Sequence, residues 1–157
     1  MIADTLPPVE NRRAGIFRRA AVSILGRVGV FAKFAASLGQ TLDEMEASCG
    51  PRLRADMHRG TKFVAWERPG MNIIAAMSGG KAVVLLYMRQ SGLFPAEIRT
   101  LLDASAHGSH WNQADGNTGR WQRADGGATA LLSDGKMLFI HDLDAGARIV
   151  AEMISEP

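Results

Sequence analysis

The chain has 157 residues, 46% of them hydrophobic and 22% charged, the size and balance of one globular domain or of two small halves sharing a core. Its single cysteine, Cys49, excludes an internal disulfide and any multi-cysteine zinc site. The net charge of +2 is uneven: residues 1–40 carry six basic and two acidic side chains, a charge of +4, which leaves −2 for the rest and excludes a nucleic-acid reading built on overall basicity.

Residues 1–11 include Pro7-Pro8 and read as a disordered lead-in. From Arg12 to Leu38 the spacing is helical. Phe17, Ile24, Val28, Phe31 and Ala35 fall on one side of a wheel, and Arg12, Arg19, Ser23, Gly26 and Lys33 on the other. Three readings of this arm, residues 1–40, stay open. It is an export signal, with Ala35-Ala36-Ser37 before Leu38, although Arg27 and Lys33 interrupt its apolar stretch. Alternatively, residues 12–38 form an amphipathic helix on a membrane surface or a partner. The third reading is an ordinary helix packed on the body. The arm argues against a spanning helix, since the uncharged run is short and a charge at the bilayer centre costs about 2.5–3.5 kcal/mol.

The body, residues 41–157, opens with Thr41-Leu42-Asp43-Glu44, a capping box, and this first helix should end at Cys49-Gly50-Pro51. Three strands are expected over residues 62–68, 71–77 and 82–89, with turns at Pro69-Gly70 and at Ser78 to Lys81. A second helix starts at Phe94-Pro95-Ala96-Glu97 and stops at Ala106-His107-Gly108. Residues 109–113 are an optional strand, and further strands are expected over 120–123, 129–132 and 137–141. A last helix covers residues 145–154. The strand from Ala82 to Met88 is apolar on both faces, so it is either covered twice or paired at an interface.

An internal repeat organises these elements. Trp66 and Trp121 lie 55 residues apart, as do Arg68 and Arg123, Gly80 and Gly135, and Lys81 and Lys136. The expected fold is therefore α+β: two tandem α-βββ units, residues 41–90 and 94–142. They form one antiparallel sheet of about six strands with the helices on one face.

Candidate chemistry is sparse. His107 and His110 are spaced to share a metal only if a third ligand joins them, and the loop offers just Asp115. His141-Asp142-Leu143-Asp144 is a second such cluster. Asp115 to Gly119 lacks the downstream Glu of a calcium loop and reads as a turn. Ser78-Gly79-Gly80-Lys81 leads into a strand, unlike a phosphate loop, which leads into a helix. Cys49 sits at a helix C-terminus, where the dipole disfavours a thiolate. Trp66 and Trp121 occupy equivalent positions and read as packing residues. Trp111 has no counterpart, so a recognition surface would be built on Trp111 with His107, His110, Asn112 and Asp115. No cofactor motif is present.

Two stretches carry a resemblance. Thr41 to Glu46, closing at Cys49-Gly50-Pro51 before strands, resembles the opening of small periplasmic domains of the outer-membrane-assembly lipoprotein family, which is found in tandem form in the β-lactamase inhibitory proteins. Glu97 to Ala104, then Gly108-Ser109-His110-Trp111 and Trp121-Gln122-Arg123-Ala124-Asp125-Gly126, resembles exported bacterial proteins with a Gly-Ser-x-Trp segment and a Trp-x-Arg-x-Asp-Gly turn. Together they span residues 41–142 and imply an extracytoplasmic protein-binding module. The lipobox cysteine of the lipoproteins is missing. The element order also resembles type III secretion chaperones, which are acidic homodimers that bind an extended segment.

The leading expectation is a non-enzymatic module, monomer or homodimer, whose partner is another protein and not a nucleic acid. The alternatives are a cytoplasmic chaperone-like homodimer joined through residues 82–88, and a metal-dependent enzyme using the His107/His110 loop.

Overall fold

A computed structural model describes residues 35–155; the expected helix of the basic arm lies outside the described residues, apart from its last few positions. In chain order the elements are α1 (Leu42–Cys49), β1 (Arg54–His58), β2 (Thr61–Arg68), β3 (Met71–Ser78), β4 (Lys81–Met88), α2 (Pro95–Ala104), β5 (Trp111–Gln113), β6 (Arg120–Arg123), β7 (Ala128–Ser133), β8 (Met137–Asp142) and α3 (Ala145–Ser155). This is an α+β fold. Its strands form one antiparallel sheet of eight strands in the order β1-β2-β3-β4-β8-β7-β6-β5.

Two expectations are corrected. The sheet has eight strands rather than six, because Arg54–His58 and Trp111–Gln113 also pair. Every residue of β1 is exposed, so the strand shows no alternation of buried and open positions for a sequence pattern to report. The helices also occupy both faces of the sheet rather than one.

The register shows how the faces divide. Trp66, Ile73, Tyr87, Leu138 and Leu132 form one row across paired strands. Side chains alternate along each strand, so Val64, Ala75, Leu85, Ile140 and Ala130 share that face. α1 and α2 cover it. The other face carries Ala76, Val84, Leu86 and Phe139, and there Ile149 and Val150 of α3 complete a buried cluster. Burying an aliphatic side chain of this size is worth about 1.5–3 kcal/mol.

β4 sits at the centre, between β3 and β8, with helices on both faces. That explains its unbroken apolar sequence and settles the choice left by the sequence: the strand is covered twice. A bulge adds to this packing. Ala76 pairs with Val84 and Met77 with Ala82, which leaves Val83 as the extra residue. Val83 and Val84 consequently both join the cluster under α3.

Local chemistry fixes the helix ends. Thr41 accepts from Glu44 N, and Glu44 Oε2 accepts from Thr41 N, the expected capping box. At α2 the Glu97 carboxylate accepts from Phe94 N at 3.0 Å. Arg89, just past β4, donates to that carboxylate through both terminal nitrogens, at 2.5 and 2.6 Å. Glu97 is 1% exposed, so this bidentate pair is a buried clamp between the central strand and α2.

Candidate functional site

The repeated Trp-x-Arg positions tie helices to the sheet. Trp66 Nε1 donates to Gly50 O at 2.9 Å, and Arg68 Nη2 donates to Pro51 O at 3.4 Å. In the second half, Arg123 Nη1 donates to Ser105 O at 2.9 Å. These groups satisfy carbonyls at or just past a helix C-terminus, which have no partner inside the helix. Arg123 also holds Asp125 at 2.8 Å. Its hydrogen bonds from Arg123 and from Gly127 N keep the Asp125 carboxyl below its ordinary range. Gly80 and Gly135 both adopt left-handed conformations in hairpin turns, with Lys81 and Lys136 directly after them.

Around the Trp111 loop the expected recognition residues part company. Trp111 is half-buried, and its Nε1 donates to Leu102 O of α2 at 2.6 Å. His110 is exposed at the rim of a cavity beside it. Asn112 points to the opposite face of the sheet, since it pairs with Gln122, which pairs with Thr129. Asp115 lies exposed in the β5–β6 turn. His107 adopts a left-handed φ of 51° and turns toward the segment before α1, its Nε2 3.0 Å from Ser37 Oγ. His141 lies on β8, with Nδ1 2.7 Å from Asp142 O. Among the described residues no group of three or more His, Cys, Asp or Glu side chains converges on a point that could hold a metal ion. The side chains that the metal-dependent alternative would use are held apart by the strand alternation and by the contact of His107 with Ser37.

The cavity measures about 540 Å³ and lies between α2 and the β5–β7 end of the sheet. Ile98, Leu102, Trp121 and Leu132 supply its apolar surface, and Arg99, Asp103, Gln113 and Thr118 its polar rim. Sequence reasoning singled out Trp111 and His110 but not Arg99, Asp103, Gln113 or Thr118. Arg99 and Asp103 stand one turn apart on the exposed side of α2, a spacing visible in the sequence. What brings them against Gln113 and Thr118 is the packing of α2 on the sheet.

A second surface is the opposite edge of the sheet. Arg59 and Gly60 have φ of 49° and 78°, the left-handed pair of a two-residue hairpin turn. The closing pair His58–Thr61 therefore directs its backbone groups inward, and so do Asp56 and Arg54. Ala55 and Met57 then present their backbone groups outward, at an edge that no described strand covers. Met57 is 66% exposed and Leu53, just before the strand, 62%.

Residues 35–38, just before α1, are also built in. Ala36 N donates to Tyr87 Oη at 3.1 Å, Tyr87 Oη donates to Ala36 O at 3.2 Å, and Leu38 N donates to Ser105 Oγ at 3.2 Å. Ala35, Ala36 and Leu38 are buried. Burial raises the Tyr87 phenol far above its ordinary pKa, with Cys49 nearby adding to the effect. The Cys49 thiol is likewise raised by burial, against the opposing charge of Arg68.

Comparison of the chain with protein-family models, with curated proteins and with solved structures returned no match.

Proposed function

We propose that this chain is a non-enzymatic α+β module that binds another protein by accepting an extended segment along the outer edge of β1. The observation that carries this reading is the edge itself, which no other strand among the described residues covers. Five residues are exposed along their whole length, two backbone positions point outward, and the large apolar side chains Leu53 and Met57 stand beside them. β1 carries charged Arg54 and Asp56, which pair with each other at 3.5 Å, and the exposed apolar side chains beside them offer a template for strand addition.

The tandem reading belongs to this proposal. The offset of 55 that joins Trp66 to Trp121 also carries α1 into α2 and β1 to β4 onto the positions of β5 to β8. The resemblance to envelope modules makes export part of the proposal, with residues 35–37 retained, because the folded core uses them. The chaperone-like homodimer loses its expected surface, since β4 has no free edge; a dimer would have to use β1 or β5.

The test is selection of extended peptides from a random displayed library against the full chain. Binders are expected, and they should fail against Ala55→Pro, which removes an outward N–H without touching the β1–β2 ladder, and against Met57→Lys. Circular dichroism checks that both variants fold. Binders indifferent to both changes, or sedimentation showing the edge closed by a second copy, would refute partner binding at β1.

A further inference from the structure

The two halves treat the same tryptophan differently. In the first, Trp66 is 1% exposed and its indole N–H is taken by Gly50 O at 2.9 Å. The residue 55 positions after Gly50 is Ser105, and its carbonyl already accepts from Arg123. Leu102 O, one turn earlier, accepts from Trp111. Trp121 therefore finds no acceptor on the helix above it. Its N–H has no hydrogen-bond partner among the described residues, and it is open to solvent, because no unpaired side-chain nitrogen or oxygen among them is buried. The half-buried Trp121 ring lines the 540 Å³ cavity.

We infer that this cavity is a binding site for a neutral saccharide unit, separate from the β1 edge. The volume lies within the range of about 300–1,000 Å³ usual for small-ligand sites. An indole offers a flat apolar surface with a polar handle, which suits a ring whose one face is C–H and whose rim is hydroxyl. Arg99, Asp103, Gln113 and Thr118 supply donors and acceptors together. A hydroxyl group both donates and accepts, so a hydroxylated ring uses such a mixed rim fully. Charge narrows the choice further. The formal charges of Arg99 and Asp103 cancel across one turn of α2, so an anion gains from one what it loses to the other. A purely apolar ligand would cover these rim groups without giving them hydrogen-bond partners, which disfavours it.

The test uses the full-length chain, labelled so that its three tryptophans give separate indole N–H signals by NMR. A panel of neutral hexoses, N-acetylhexosamines and their disaccharides is titrated in. The Trp121 signal should move saturably, while the Trp66 signal stays in place because Gly50 O holds its N–H. Trp121→Phe assigns the signal and should weaken binding several-fold. Asp103→Asn changes only an exposed α2 side chain and should weaken binding about tenfold through loss of a charged hydrogen bond. The inference is overturned if no neutral saccharide shifts Trp121 saturably at millimolar concentration. It is equally overturned if only an acidic sugar or a peptide does so, or if Asp103→Asn leaves affinity unchanged.

Discussion

Arg68 and Arg123 solve one local problem in two places, and Arg89 solves a related one. A helix end leaves backbone groups without partners, and a planar cation with several N–H donors can reach carbonyls from a neighbouring strand. Arg89 goes further and joins two elements through a carboxylate that is itself buried and caps α2. Such a pair contributes little when whole, because both charges were taken out of water, but losing one partner strands the other. Glu97→Ala is therefore expected to lower stability by about 3–5 kcal/mol, measured by urea unfolding. Replacing Arg89 and Glu97 together with apolar residues should cost clearly less than the single change. Equal losses in the two variants would show that the clamp has no desolvated-charge character.

At the scale of elements, the bulge in β4 and the start of α3 are made for each other. Val83 is the extra residue, and its carbonyl approaches Gly146 so closely that a Cβ there would overlap it. Asp142 adds a fixed point by accepting from Gly146 N at 2.7 Å. Gly146→Ala would normally favour a helix, by about 1 kcal/mol. Here the overlap is with backbone, which cannot rotate away, so the variant is expected to lose about 1–3 kcal/mol instead. A denaturant midpoint that rises in Gly146→Ala would contradict this packing.

At the scale of the whole molecule, the fold depends on the segment that precedes α1. Ala35–Leu38 bridges Tyr87 at the sheet centre and Ser105 at the end of α2. A chain beginning at Leu38 leaves the Tyr87 hydroxyl buried without its acceptor, at a cost of about 1–3 kcal/mol, and loses the burial of Ala35 and Ala36 as well. A chain beginning at Ala35 keeps these contacts. Comparing the thermal midpoints of the two should show the shorter chain lower by several degrees; equal midpoints would mean that the docked segment contributes nothing.

The parts of the fold that local rules govern can be read from the residues alone. The capping box at Thr41, the stop at Gly50-Pro51, the Pro95 helix start, the hairpin turns at Pro69-Gly70 and at Ser78 to Lys81 and the doubly apolar β4 were all legible, because each follows from backbone conformation or from apolar periodicity. The grouping expected around Trp111 was legible only in part: His110 and Trp111 line one cavity, while Asn112 and His107 are directed elsewhere by strand alternation and by a contact 70 residues away in sequence. β1 was missed because every one of its residues is exposed, so pairing rather than burial makes it a strand. The placement of α3 on the opposite face from α1 and α2, the central pairing of β4 with β8 and the release of the Trp121 N–H were decided by tertiary structure alone. Each of these depends on which carbonyl, face or strand a group meets across the fold, and a linear sequence holds that information only through the packing of all the elements together.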